Sequence, residues 1–256
     1  SEFFGRYLYL PGEIIQDKGV FTKYEGFSPM CLIWKSNPGN THGDLTAERA
    51  LEVSCNYFFY ELGSRMTIEM LNETANALGL GVPTGIELTE KVGWVTDEAS
   101  KKAAYGETGV DSQITAGDRV LAAIGQAENR FSPLQLCVYA STLANKGTRM
   151  KATFLSRVVA SDYSSLIKEN SPEIMNQMEI ASTTYNTYIE GMRLVIAGND
   201  GTARNHFGGP KDLDTFPVVV CGKTGTAQHS SGGSDHGAFI CFAPMDDPEV
   251  AVAVYG

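Results

Sequence analysis

Long apolar runs are missing from this chain of 256 residues. No window approaches the roughly 20 apolar residues that a membrane-spanning helix needs, and no secretory signal peptide opens the sequence. Basic residues are also outnumbered, because 20 Lys and Arg face 30 Asp and Glu and give a net charge of −10. Nucleic acid binding depends on a basic surface that releases counterions, so this balance argues against a nucleic acid partner.

Cysteine is sparse as well, and its pattern excludes two further classes. None of the cysteines shows C-x-x-C spacing, and their odd number fits buried thiols better than a disulfide framework. We therefore expect neither a zinc site nor a redox motif, and neither a metal nor an organic cofactor. The five cysteines are Cys31, Cys55, Cys137, Cys221 and Cys241.

The overall composition is typical of a globular protein, with 43% hydrophobic and 20% charged residues. Helical periodicity dominates about 41–150. A helix capped by Asp44 or Thr46 should break near Ser54, and a second should begin around Tyr57. An amphipathic helix over 68–78 should end at Gly79, and Ser132-Pro133 should start another helix that ends at Gly147.

Strand-like patterns dominate about 151–256. Residues 154–160 predict a strand that returns at Leu166-Ile167, and the spacing over 185–196 predicts one helix. Three further strands are predicted over 218–221, 238–242 and 250–254. We expect a single α/β domain of the α+β type, in which helices flank a mostly antiparallel sheet beside a mainly helical part.

One of these strands leads directly into polar residues. The apolar run from Pro217 to Gly222 is followed by Lys223-Thr224-Gly225-Thr226. A cation and hydroxyls at this place can hold a carboxylate, a glycine can let a peptide backbone lie close, and a backbone N–H can face a developing oxyanion. The alternative is a chance turn, which the surrounding run from Gly222 to Gln228 makes the weaker interpretation.

A second polar cluster, Ser54-Cys55-Asn56, lies between two helix-like segments. Residues two apart in a non-helical link can face the same cleft. There Ser54 could relay a proton to a leaving amine while Asn56 binds a substrate amide. The alternative is that both residues only cap helices, which is a common use of serine and asparagine.

In this order, the two clusters resemble two of the three signature motifs of the penicillin-binding proteins and serine β-lactamases. The runs Ala123 to Gln126, Phe131 to Leu136 and Ala144 to Gly147 look like the monofunctional class B penicillin-binding proteins. The resemblance covers residues 12–256. It implies a β-lactamase/transpeptidase-like fold and a D,D-transpeptidase that cross-links peptidoglycan stem peptides by serine acyl transfer.

The resemblance also implies roles, partners and a location. Lys223 would orient and polarise the substrate, Thr224, Gly225 and Thr226 would bind it, and Ser54 and Asn56 would complete the floor of the cleft. The Thr226 N–H would join the oxyanion hole. The implied partners are stem peptides, β-lactam antibiotics and other cell-wall synthesis proteins. The implied location is the outer face of the cell membrane, with an N-terminal membrane helix that these residues do not include.

The third signature motif, a serine three residues before a lysine, should precede Ser54 and is not found there. The one match to this spacing, Ser165-Leu166-Ile167-Lys168, follows the second motif and reads as part of a surface hairpin. We therefore predict that Ser165 is not the nucleophile, that the domain is trimmed at both ends, and that these residues alone are inactive.

Two other functions remain open at this stage. One is a non-catalytic cell-wall or β-lactam-sensing module that has lost its nucleophile. The other is a serine β-lactamase, which is less favoured because lactamases usually lack the class B segments quoted above.

Overall fold

Short strands and helices alternate along the chain, which we describe from a computed structural model covering residues 8–107, 112–207, 217–227 and 235–256. The helices are α1 Leu32–Ser36, α2 Ala47–Glu52, α3 Asn56–Arg65, α4 Ile68–Ala77, α5 Glu98–Tyr105, α6 Ala116–Ala122, α7 Pro133–Ala144 and α8 Ser182–Ala197. The strands are β1 Ile15–Asp17, β2 Gly43–Leu45, β3 Thr148–Met150, β4 Arg157–Val159, β5 Leu166–Glu169, β6 Ile174–Gln177, β7 Cys221–Ala227, β8 His236–Ala243 and β9 Val250–Tyr255.

The capping chemistry explains where the predicted helices begin. The Ser132 hydroxyl accepts a hydrogen bond from the Gln135 N–H, and Pro133 fills the first helical position of α7. The Thr67 hydroxyl accepts from the Met70 N–H at the start of α4. The helices predicted around Ala47, Tyr57, Ile68, Pro133 and Tyr185 are confirmed. The short helices α1, α5 and α6 were not foreseen.

All described strand pairs are antiparallel, as predicted, and they form four small sheets. The sheet that carries Lys223 has the order β7-β8-β9, so that β7 forms one of its edges among the described strands. β4 and β5 form the predicted hairpin, although the first strand is shorter than expected and begins only at Arg157. No helix within the described ranges is both long enough and apolar enough to span a bilayer.

β7 starts later than the sequence predicts. The apolar run indicated a strand over 218–221, but the strand begins at Cys221 and includes the whole Lys-Thr-Gly-Thr segment. Pairing with β8 explains this difference, since Cys221 lies opposite Phe242 and β8 ends one residue later at Ala243. Val218 and Val219 therefore precede the ladder and are exposed. The polar motif thus lies within an edge strand and not behind one.

α8 connects the two parts of the molecule that carry the motifs. It packs on α2 with one part of its surface and on β7 with another. Gly191 of α8 lies against Leu51 of α2, where an added Cβ would be 2.5 Å from the leucine Cδ1. Ile189 and Met192 belong to a buried cluster with Cys221 and Phe242 of the sheet. Burial of such side chains stabilises the fold by about 1.5–3 kcal/mol each.

The two glycines of β7 are predicted to differ in their effect on stability. A Cβ at Gly222 would lie 2.8 Å from Phe239 Cζ and 3.1 Å from the Ile240 oxygen, whereas one at Gly225 would meet Ala238 at the ordinary distances of 3.6 Å (Cβ) and 3.8 Å (O). Gly222→Ala should lower the free energy of unfolding by about 1–3 kcal/mol through overpacking. Gly225→Ala should leave it unchanged or slightly higher. Urea denaturation measures both, and equal losses would contradict the register of β7 against β8.

Candidate active site

Ser54 occupies a tight turn between α2 and α3. Its φ of +54° lies in the left-handed region, which costs a non-glycine residue about 1 kcal/mol. The turn is fixed by hydrogen bonds from the Ser54 N–H to the Leu51 oxygen (3.2 Å) and from the Cys55 N–H to the Ala50 oxygen (2.9 Å). A strained residue held by its neighbours is typical of functional sites.

The structure brings Ser54 and Lys223 together. The Lys223 Nζ donates to the Ser54 Oγ at 2.8 Å and to the carbonyl oxygen of Thr224 at 2.7 Å. Burial of the ammonium group lowers the pKa of Lys223 to about 8. No ion pair formed by the described residues involves Lys223. An anionic ligand could therefore supply the counter-charge.

Asn56 lies close in sequence but makes a different contact. It is the first residue of α3, and its side chain is hydrogen-bonded to Tyr60 one turn further on. Burial raises the pKa of Tyr60 to about 12, and the bond with Asn56 opposes this rise. The described contacts thus join Ser54, but not Asn56, to Lys223.

The threonines of β7 face two other segments. Thr224 Oγ1 lies 2.7 Å from Thr202 Oγ1, in the loop that follows α8. The Thr226 carbonyl accepts a hydrogen bond of 3.1 Å from the side-chain amide of Gln126. Gly225 is exposed between the two threonines and has only ordinary contacts on the protein side. Its predicted role against a substrate backbone stays a prediction.

Glu52 explains how Thr202 reaches Thr224. The Glu52 carboxylate is buried, accepts from the Asp200 N–H at 3.1 Å and pairs with Arg49 at 2.6 Å. The Glu52 carbonyl accepts from the Thr202 N–H at 3.3 Å. Sequence reasoning gave no role to Glu52, Thr202 or Gln126, although Gln126 ends one of the runs that resemble class B proteins. Their contacts join residues 22 to 150 positions apart, which no local pattern predicts.

Ser165 lies elsewhere, on the β4–β5 hairpin. Ser165 and Lys168 are both exposed, and the backbone oxygen of Ser165 accepts from the Ala160 N–H within the hairpin. The prediction that this serine belongs to a surface hairpin is confirmed.

A cluster of possible metal ligands lies directly beside the Ser54 turn. The ligand atoms of Asp17, Cys31, His42 and Cys55 all lie within 4.8 Å of one another. His42 Nδ1 is 2.9 Å from Asp17 Oδ2 and 3.5 Å from Cys31 Sγ. This cluster runs against the expectation from sequence that no metal site is present. That expectation relied on ligand spacing, whereas the four members come from separate segments.

The donor set of this cluster suits zinc. Two thiolates, one imidazole and one carboxylate are a four-ligand set of the kind that closed tetrahedral sites use. The two cysteine sulfurs are 3.8 Å apart, and Zn–S bonds of about 2.3 Å in a tetrahedron require about 3.8 Å. The hydrogen bond between them is the main reason why the pKa of Cys31 is lowered and that of Cys55 raised. Burial would raise the pKa of Asp17, but hydrogen bonds from His42 and Gly19 outweigh it and lower that pKa.

Comparison with known proteins places the chain in a family. The sequence profile described as "Penicillin binding protein transpeptidase domain" matches residues 16–255. The chain is 28% identical over 255 residues to the peptidoglycan D,D-transpeptidase MrdA of Acinetobacter baumannii, covering 94% of the chain and 35% of that protein. The chain therefore spans about a third of the length of this relative.

Solved structures show the same fold. The imipenem acyl-enzyme of penicillin-binding protein A from Mycobacterium tuberculosis has a TM-score of 0.75 and 22% identity, covering 96% of this chain and 50% of that one. The complex of penicillin-binding protein PBP2 with MreC from Helicobacter pylori has a TM-score of 0.73 and 22% identity, covering 96% and 42%.

Lys223 should titrate far below an ordinary lysine. We expect a midpoint near pH 8 against about 10.4 in an unfolded chain. NMR of the lysine side-chain ¹³Cε signals measures it, and Lys223→Met assigns the signal. Between these two values the unfolded chain binds the proton that the folded chain has lost. The free energy of unfolding should therefore rise with pH relative to Lys223→Met. A midpoint above pH 10 would contradict the buried position.

The Asp17–Cys31–His42–Cys55 cluster is expected to hold one Zn²⁺ per chain. Elemental analysis by mass spectrometry after dialysis measures the stoichiometry. Cys55→Ser should reduce it strongly, because it removes one of four ligands. Cys137→Ser changes a half-buried cysteine outside the cluster and should retain the metal. Zinc below one tenth of an equivalent in the unsubstituted chain, or equal loss in both variants, would contradict this expectation.

Proposed function

Because the chain belongs to the family of penicillin-binding protein transpeptidase domains, we propose that it forms part of a D,D-transpeptidase that cross-links peptidoglycan stem peptides. The observation that carries the proposal is the 2.8 Å hydrogen bond between Lys223 Nζ and Ser54 Oγ. It brings a hydroxyl and a cation from distant segments to the edge of one strand. Such a pair can both bind an acyl donor and move a proton.

The substrate binds along the outer edge of β7. Its terminal carboxylate is held by the Lys223 ammonium and by the hydroxyls of Thr224 and Thr226. The carboxylate thereby supplies the negative counter-charge for Lys223. Gly225 lets the substrate backbone approach the strand without meeting a side chain. The Thr226 N–H donates to the oxyanion that forms when the D-alanine carbonyl is attacked.

Ser54 moves the proton during acyl transfer. Its Oγ accepts from Lys223, so that its own O–H is left to donate to the leaving amine of D-alanine. The lowered pKa of Lys223 belongs to the site without a ligand. A bound carboxylate favours the charged lysine, which then holds the Ser54 oxygen so that the hydroxyl proton can go to the leaving amine. Asn56 binds the substrate amide after its side chain turns away from Tyr60.

The attacking hydroxyl comes from a serine outside these residues. The exposed position of Ser165 on the β4–β5 hairpin supports this assignment. The nucleophile forms an ester with the penultimate D-alanine and releases the terminal D-alanine. An amine of a stem peptide on a neighbouring peptidoglycan strand then takes the acyl group and frees the serine. A β-lactam is attacked by the same serine, as the acyl-enzyme of the mycobacterial relative supports.

The working protein lies at the outer face of the cell membrane and acts with other cell-wall synthesis proteins. The complex of the Helicobacter relative with MreC supports such a partnership. Affinity purification of the full-length protein from solubilised membranes would show whether such partners are bound to it.

Labelling with fluorescent penicillin tests the proposal. The full-length protein that carries this domain should acquire a stable label, while the 256-residue chain alone should not. Lys223→Ala should slow acylation about 100-fold or more, because both carboxylate binding and proton transfer are lost. Lys168→Ala, on the exposed hairpin, is the matched control and should label normally.

The remaining outcomes separate the other functions. Rapid release of the label would indicate a β-lactamase, and absence of label on the full-length protein would indicate a non-catalytic module. Label on Ser165 would contradict the assignment of the nucleophile.

A further inference from the structure

The backbone of β7 presents two carbonyls to its open side. The Thr224 oxygen accepts from the Lys223 ammonium and the Thr226 oxygen accepts from Gln126, so neither bond comes from β8. Backbone groups two residues apart in a strand point in the same direction. Both carbonyls therefore point away from β8, toward the edge where an added peptide strand would make its hydrogen bonds.

The loop after α6 is built to place Gln126 at this edge. Gly125 and Ala127 on either side of it both have left-handed backbones, with φ values of +79° and +60°. Alanine rarely adopts this conformation. The Gln126 N–H is bonded to the Leu121 oxygen at 3.0 Å, and the Glu128 N–H to the Thr96 hydroxyl at 3.0 Å. Both ends of the short loop are thus fixed, and the side chain of Gln126 reaches across to β7.

We infer that Gln126 is a specificity-determining residue of the cleft: it caps the Thr226 carbonyl in the unliganded protein and yields it to a backbone N–H of the acyl-donor peptide. This inference rests on the proposed function. The hydrogen bond from Gln126 must break before a peptide strand can add to β7. A peptide N–H replaces the amide of Gln126 at no net loss of hydrogen bonds. A ligand without an N–H at this position gains no hydrogen bond in exchange for the one that Gln126 gives up, so it is bound less well than a peptide.

Removal of the cap should therefore strengthen peptide binding. We expect Gln126→Ala and the similarly sized Gln126→Met to bind Nα,Nε-diacetyl-L-lysyl-D-alanyl-D-alanine about three- to tenfold more tightly, because no internal hydrogen bond competes. NMR titration of the 256-residue chain measures the dissociation constants. In the unsubstituted chain, the side-chain amide signals of Gln126 should move to the solvent-exposed position as the peptide saturates.

Gln113→Ala is the matched control, since it changes an exposed glutamine before α6 and should not alter affinity. Unchanged or weaker binding by both Gln126 variants, or Gln126 signals that stay in place at saturation, would overturn the inference. If binding is lost in Thr224→Val but unaffected in Gln126→Met, only the inference fails. If the unsubstituted chain does not bind the peptide at all, the proposed function fails with it.

Discussion

The hydrogen bond between Lys223 and Ser54 joins segments 169 residues apart, and the rest of the site depends on it. It requires two independent constraints. Ser54 must hold a left-handed backbone at the end of α2, and β7 must pair with β8 in one register. Side chains alternate along a strand, so a slip of one residue would turn Lys223 to the opposite face. Gly222 supports the register, because Phe239 occupies the space where a side chain would lie.

α8 gives these two constraints a common frame. It packs against α2 on one side and β7 on the other, and the loop that follows it is bonded to both. The buried Glu52 carboxylate is satisfied by Arg49 and by the Asp200 N–H, which offsets the cost of burying its charge. Thr202 is thereby fixed between the turn of Ser54 and the strand of Lys223. The distance between the two motifs is thus set by packing and not by either motif alone.

The sequence predicted the parts of this arrangement that depend on local patterns. Helical periodicity and the Ser132-Pro133 cap located α7, and the two motifs identified Ser54 and Lys223. The start of β7 was wrong, because strand-forming residues such as Val218 need a partner strand, and β8 is too short to offer one. The ligand cluster around Cys55 escaped notice because its members meet only after folding. The contacts of Gln126 and Thr202 likewise could not be predicted, since both residues reach partners on β7 that are distant in sequence.

The site combines a buried cation with an open edge strand, and each feature explains the other. Burial lowers the pKa of Lys223, which means that the folded chain pays to keep its ammonium charged without a carboxylate partner. A bound carboxylate would favour the charged form and restore this energy. The carbonyls of Thr224 and Thr226 accept side-chain hydrogen bonds from Lys223 and Gln126, and they face the edge along which an extended peptide backbone would bind. A ligand that carries both a carboxylate and a peptide backbone therefore gains from both features at once, which favours a peptide C-terminus over either group alone.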